Sequence, residues 1–284
     1  MTNKILYSPK EVQNLISKGN VVLVDIRDED DYKEKHIPGA VNIPDIFYYL
    51  AETSNEGLQE VQEKFQQLFC AAGISTDKTV IIYEDAFDSR YGGSCRGYWL
   101  LTYLGHPDTG ILDGGYSAWL EAGYDVDDNI PQPKPTNFEV KLRDDIIATK
   151  ETVYASLQDA NIKLLDNRDR VEWVAKSSSP YGVDFAPRKG RLPGARWIEW
   201  YNFMERGSGI PYFKSPEKVR AMCAEYGLYP DDDIILYCFK GARVSNTFVA
   251  MQLAGFKHLR NYFGSWNEWS RDDNMPINAE VLPD

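Results

Sequence analysis

Cys238 is followed by Phe239-Lys240-Gly241-Ala242-Arg243, so a thiol is joined within five residues by two cations. Thiolate, not thiol, is the nucleophilic form of cysteine, and nearby cations together with a helix N-terminus favour it. Such a residue pattern suits a sulfur nucleophile that meets an anionic substrate. The plainer alternative is a structural cysteine in the core, a common fate of this residue type. Lys240 and Arg243 argue against it, because a purely structural thiol has no use for two cations beside it.

The flanking residues say how this loop is held. Ile234-Ile235-Leu236-Tyr237, after Asp231-Asp232-Asp233, reads as a buried parallel strand, and Ser245 to Gly255 reads as a helix closing at a glycine. Cys238 then stands at a strand-to-helix junction. Backbone N–H groups of a tight loop and a first helical turn converge on the centre and favour negative charge there.

The chain contains this arrangement twice. Ser8-Pro9-Lys10-Glu11-Val12 matches Thr149-Lys150-Glu151-Thr152-Val153, and Ser8 with Glu11 and Pro9 has the signature of a capped helix start. Val24-Asp25-Ile26-Arg27 falls on Leu165-Asp166-Asn167-Arg168, and Ile37-Pro38-Gly39-Ala40 on Leu192-Pro193-Gly194-Ala195. Helices from Leu58 to Ala72 and Pro216 to Tyr226 precede the strands Thr79–Tyr83 and Asp233–Tyr237. Gly114 to Trp119 falls on Gly264 to Trp269. Strands alternating with helices predict an α/β fold of two domains, each a mostly parallel sheet with helices on both faces. The expected division is 1–127 for the first domain, 128–146 for an acidic, proline-rich linker and lead-in, and 147–284 for the second.

The duplication is also a control. Glu84 occupies the position of Cys238 in the first copy, followed by Asp85, and no cation follows closely. That copy cannot run thiol chemistry, and Arg90 and Arg96 are candidates to neutralise its carboxylates.

Across 284 residues the formal charge is −12, which argues against a nucleic-acid partner bound through a broad basic surface. Four cysteines, Cys70, Cys95, Cys223 and Cys238, are too few and too scattered for a disulfide framework or a zinc site. No metal ligand set and no cofactor fingerprint is present. With no apolar signal segment or membrane span in the sequence, the expectation is a cytoplasmic chain without a membrane partner.

The double copy of Asp-x-Arg, Pro-Gly-Ala, strand, loop and Gly-x-x-x-x-Trp resembles the rhodanese sulfurtransferases, specifically the tandem-domain thiosulfate sulfurtransferases whose first copy lacks the cysteine. The resemblance spans nearly the whole chain. It implies an active loop from Cys238 to Arg243. Cys238 takes the outer sulfur of a donor such as thiosulfate, carries it as a persulfide and passes it to cyanide or a thiol. Lys240 and Arg243 are then expected at the donor's sulfonate oxygens, with Phe239, Gly241 and Ala242 giving backbone N–H groups around the persulfide.

One departure stands out. Where the family places an anchoring arginine, four residues past Arg168, this chain has Glu172; Arg188, Lys189 or Arg191 are candidates to replace it. Arg168 and Arg27, at matching places, read as structural ion-pair partners of Asp166 and Asp25. The histidines carry no motif marking a base, Cys70 and Cys223 read as core, and Cys95 beside Arg96 is a candidate sulfur relay. Trp266 and Trp269 read as packing.

Other functions compete with this one. A mercaptopyruvate sulfurtransferase would have small polar residues after the cysteine, which Lys240 and Arg243 are not. A phosphatase would need a wider loop, and only four residues separate Cys238 from Arg243. A persulfide carrier serving a sulfur-accepting protein is the alternative outside small-molecule catalysis.

Overall fold

The computed structural model describes residues 4–206 and 209–283. It forms two compact units. One comprises the chain up to Tyr49, Gln59–Arg143 and Arg206–Tyr212; the other comprises Leu50–Leu58, Asp144–Glu205 and the chain from Phe213 onward.

In unit 1 the strands are β1 (Leu6–Tyr7), β2 (Val21–Asp25), β3 (Val41–Asn42), β4 (Thr79–Tyr83) and β5 (Thr109–Leu112), ordered β1-β5-β4-β2-β3. In unit 2 they are β6 (Ile147–Ala148), β7 (Ile162–Asp166), β8 (Arg196–Trp197), β11 (Asp233–Tyr237) and β12 (His258–Tyr262), ordered β6-β12-β11-β7-β8. The two orders are the same topology. Every neighbouring pair in both sheets is parallel. Between β8 and β11, β9 (Met204–Arg206) and β10 (Pro211–Phe213) pair with one another.

Helices flank each sheet, as a parallel sheet with two apolar faces requires. Unit 1 contains α1 (Pro9–Lys18), α2 (Glu29–Glu34), α3 (Asp45–Tyr48), α4 (Asn55–Ala71, whose first turn counts with unit 2), α5 (Gly93–Tyr103) and α6 (Gly115–Glu121). Unit 2 contains α7 (Lys150–Ser156), α8 (Arg170–Trp173), α9 (Pro216–Glu225), α10 (Ala242–Leu253) and α11 (Ser265–Trp269). Helix starts follow the sequence signals: Ser8 and Glu11 close a capping box on α1, and the Thr149 hydroxyl accepts from Thr152 N–H on α7. The helix expected from Ser245 begins earlier, at Ala242, because Gly241 already has the left-handed conformation (φ 85°) that turns the chain into it.

The cores repeat residue for residue. Val12, Leu23, Ile37, Ile81, Tyr83, Leu112, Tyr116 and Trp119 pack together in unit 1. Val153, Leu164, Leu192, Ile235, Tyr237, Tyr262, Trp266 and Trp269 do so at the matching places in unit 2.

Each core also buries an Asp–Arg ion pair. Arg168 donates to both Asp166 oxygens (Nε–Oδ1 3.0 Å, Nη2–Oδ2 2.6 Å) and to the Gly190 carbonyl (2.8 Å), with its guanidinium 4.4 Å from the Trp266 ring centre. Tyr237 Oη donates to Asp166 Oδ2 at 2.6 Å. Arg27 repeats this with Asp25 (Nη2–Oδ2 2.7 Å), the Lys35 carbonyl (2.7 Å) and the Tyr116 ring (4.0 Å). Both pairs are buried, and their presence in both copies fits the structural role expected of them. A buried pair fixes geometry more surely than it adds stability.

Between the two sequence repeats, 127–143 has little regular structure and hydrogen-bonds along unit 1: Thr136 N–H to Cys70 O (2.9 Å), Lys141 N–H to Leu104 O (2.9 Å) and Arg143 N–H to Tyr103 O (2.8 Å). Among the described residues no helix is long and apolar enough to cross a membrane.

Candidate active site

Cys238 follows the last residue of β11, whose five residues run between β7 and β12 at the centre of the sheet. A central strand cannot shift register without turning its apolar side chains the wrong way, so the position of the following residue is fixed. Three residues later Gly241 caps α10. A side chain at Gly241 would collide with the Phe263 ring (2.7 Å) as well as strain a φ of 85°. The glycine is required by both backbone and space.

This short turn folds back on its own cysteine. Gly241 N–H points at Cys238 Sγ, with N···S 3.2 Å. The other side of the loop is tied to α11: Trp266 N–H donates to Cys238 O (3.0 Å) and Asn267 N–H to Phe239 O (2.9 Å). Ser265 Oγ accepts Cys238 N–H (3.1 Å) and donates to Tyr262 O (2.6 Å). Ser265 makes these bonds from a left-handed backbone (φ 53°) that a non-glycine residue adopts at a cost. Sequence reasoning missed this serine; its alignment with Gly115, φ 65° in the first copy, was the available signal.

The remaining loop residues are buried as well. Phe239 is buried in the core and meets the rings of Tyr181 (5.6 Å) and Phe185 (5.8 Å) edge-on. Lys240, 5 % exposed, lies with Nζ 5.1 Å from the Tyr181 ring centre. Ala242 is buried in the first turn of α10.

Arg243 is the residue whose setting the sequence did not suggest. It is 2 % exposed, and its guanidinium donates to both Glu172 oxygens, Nη1–Oε2 at 2.6 Å and Nη2–Oε1 at 3.0 Å. Asp169 Oδ1 lies 2.9 Å from the same Nη1. Burial works against the charge of Arg243, but chiefly Glu172, with Asp169, outweighs it and holds the guanidinium well above its ordinary range. Glu172 is also the capping-box residue of α8, accepting Asp169 N–H at 3.2 Å. The residue read as a lost anchor is thus the partner of the loop's arginine.

The three candidate replacements for that anchor are placed elsewhere. Arg188 donates to the carbonyls of Trp269, Ser270, Asp272 and Met275, closing the end of α11. Arg191 donates to Trp173 O and Glu280 O, and Lys189 pairs with Asp184 at 2.7 Å.

In unit 1 the same framework holds a carboxylate. Tyr116 N–H donates to Glu84 O (2.8 Å) and Ser117 N–H to Asp85 O (2.9 Å), the bonds that Trp266 and Asn267 make in unit 2. The fully buried Glu84 carboxylate accepts Ser94 N–H (3.0 Å), Ser94 Oγ–H (2.6 Å) and Arg90 N–H (3.2 Å). Burial raises its pKa to about 7 even though the Ser94, Arg90 and Gly93 hydrogen bonds pull it down. Arg90 reaches Asp28 and Asp31 (both 2.9 Å) at the start of α2, the counterparts of Asp169 and Glu172. Arg96, expected near the carboxylates, donates to Phe47 O (2.8 Å) and Tyr49 O (2.7 Å).

The other cysteines each have a distinct setting. Cys95 is fully buried in the first turn of α5, and Cys223 is buried on α9 with its pKa pushed up to about 12 by burial. Cys70 on α4 is partly exposed, and its sulfur accepts Phe138 N–H at 3.3 Å. Among the described residues no group of three or more His, Cys, Asp or Glu side chains is arranged to hold a metal ion.

Comparison with known proteins adds to this geometry. The sequence profile of the rhodanese-like domain matches twice, over residues 8–122 and 149–272. The chain is 31 % identical over 283 residues to the sulfur carrier protein TtuD of Thermus thermophilus, covering 96 % of each chain. It is 26 % identical over 273 residues to the thiosulfate sulfurtransferase of Azotobacter vinelandii, again covering 96 % of each. The solved structure of wild-type EanB superposes with a TM-score of 0.84 at 24 % identity, over 98 % of this chain and 69 % of that one, a likeness of fold.

Proposed function

The chain belongs to the rhodanese-like family, present as two tandem copies, and we propose that its second copy is a sulfurtransferase working through a persulfide on Cys238. The observation that carries this reading is the Gly241 N–H aimed at the Cys238 sulfur from a tight turn at the start of α10. An N–H so placed serves an anionic sulfur before and after loading.

In the proposed reaction the Cys238 thiolate attacks the outer sulfur of thiosulfate. The new S–S bond forms on Cys238, the S–S bond of the donor breaks, and sulfite leaves with the electron pair. Attack by cyanide or a thiolate on the outer persulfide sulfur then regenerates the Cys238 thiolate. Lys240, Arg243 and the N–H groups of Phe239, Gly241 and Ala242 supply positive potential for the donor oxygens and the persulfide. The thiosulfate sulfurtransferase relative supports thiosulfate as donor.

A second reading rests on a different relative. The sulfur carrier protein at 31 % identity favours a chain that holds the persulfide for a partner protein. Thiosulfate and cyanide separate the two: catalysis accumulates thiocyanate, whereas a carrier gains one sulfur by intact mass with no turnover. Cys238→Ser is expected to abolish both the gain of sulfur and thiocyanate formation while leaving the circular dichroism spectrum unchanged. Sulfur transfer that survives in Cys238→Ser refutes the assignment.

A further inference from the structure

The Arg243 guanidinium is enclosed by carboxylates rather than turned wholly to the sulfur. Glu172 takes it with two hydrogen bonds, and Asp169 adds a third oxygen at 2.9 Å. Glu199, which accepts Arg170 N–H at 3.2 Å, adds its field to Asp169 and Arg243 from beside α8. Arg243 thus faces three carboxylates within one small region. A donor approaching Cys238 meets a field that the loop sequence alone overstates.

Positive potential matters more to a dianion than to a monoanion, because the attraction scales with the charge brought in. Building on the reading of Cys238 as the sulfur-transfer residue, we propose that Glu172 is a specificity-determining residue. By holding Arg243, it biases the loop toward sulfane-sulfur donors with one negative charge, of the R–SO2–S⁻ and R–S–S⁻ types, over the thiosulfate dianion. The chemistry is unchanged in kind. Cys238 thiolate bonds to the terminal sulfur, the donor's S–S bond breaks, and a sulfinate or a thiolate leaves with the electron pair. Glu172 touches neither the donor nor the sulfur; it acts through Arg243 as a positioning residue.

Methanethiosulfonate is the matched probe, since it differs from thiosulfate by a methyl group in place of one anionic oxygen. kcat/KM is measured for methanethiosulfonate, a short alkyl persulfide and thiosulfate, with cyanide as acceptor, in the full chain and in Glu172→Gln. The wild type is expected to prefer at least one monoanion. In Glu172→Gln the preference should move roughly tenfold toward thiosulfate, the scale of one charge felt across a partly screened site, with the change in KM for thiosulfate. Asp169→Asn, at a side chain 24 % exposed, is the second variant should Glu172→Gln fail to fold, and should move the ratio the same way. A merely structural role would lower turnover with every donor alike and leave the ratio fixed. A wild-type preference for thiosulfate over both monoanions, or a ratio unmoved in the variants, overturns the inference while leaving sulfur transfer standing. Failure of all three donors to load Cys238 overturns the transfer reading itself.

Discussion

The loops after β4 and β11 are one construction with two fillings. Both leave a central strand, both are pinned by two backbone N–H groups from the next short helix, and both bring an arginine onto the two acids of a short helix start. They differ in length and in what their inward N–H groups meet. Seven residues separate Glu84 from its helix cap Gly92, and those N–H groups receive a carboxylate belonging to the loop itself. Two separate Cys238 from Gly241, and the N–H meets sulfur. The shared framework is a ring of inward N–H donors. The first copy fills it with its own carboxyl group.

The arginine clamps give the largest test of this equivalence, because they differ in burial. Arg243 and Glu172 are 2 % and 0 % exposed, whereas Arg90 is 12 % exposed with Asp28 and Asp31 at 46 % and 51 %. Removing one partner of a buried pair leaves the other charge uncompensated, which costs about 3–5 kcal/mol; exposed partners reduce such a loss to about 1 kcal/mol or less. Arg243→Ala is therefore expected to destabilise the protein several-fold more than Arg90→Ala in urea unfolding. Equal losses would mean that the two clamps are not the same device at different depths. Arg243→Met with Glu172→Leu should recover much of the loss in stability.

The filling of the first cradle gives the next effect. Folded Glu84 keeps its proton up to about pH 7, while an ordinary glutamate releases it near 4.5. Over that interval the folded state binds more protons than the unfolded state, so stability falls as pH rises. The contribution is fully present below about pH 4.5 and is lost as pH climbs through about 7, for a total of about 3 kcal/mol. Glu84→Gln should remove that slope. Melting temperatures of the two proteins from pH 5 to 8 are expected to diverge with rising pH, the variant losing less; parallel curves would show that the cradle already accommodates the charged form.

How far this comparison was open to the sequence depends on the distance between the partners. The strands, the Asp25–Arg27 and Asp166–Arg168 pairs and the Pro-Gly-Ala turns are local patterns repeated at fixed offsets, and duplication made them stand out. The family and the α/β class followed from them. The clamp did not, because Arg243 and Glu172 are 71 residues apart and Glu172 taken alone reads as the loss of a cation. Acids at both Asp28 and Asp31, repeated at Asp169 and Glu172, were the usable clue. Arg188 was unreadable for the same reason: its partners are main-chain carbonyls, which leave no trace in residue types.

The smallest expected effect isolates what the second copy added. Gly115 cannot take a side chain, since a Cβ there would stand 2.6 Å from Glu84 O and 2.8 Å from Asp85 O. Its counterpart Ser265 does carry one, in a backbone conformation that costs a non-glycine residue about 1–2 kcal/mol. Its hydroxyl offsets that strain by bonding Cys238 N–H and Tyr262 O, contributions of about 1 kcal/mol each. In Ser265→Gly the relieved strain and the lost bonds oppose one another, so stability should change by within about 1 kcal/mol. Sulfur transfer should nevertheless fall, because the residue carrying the nucleophile loses a fixed point on its backbone. A loss of rate matched by an equal loss of stability would reduce Ser265 to a packing residue, whereas a loss of rate at constant stability makes its strained backbone part of how the thiol is aimed.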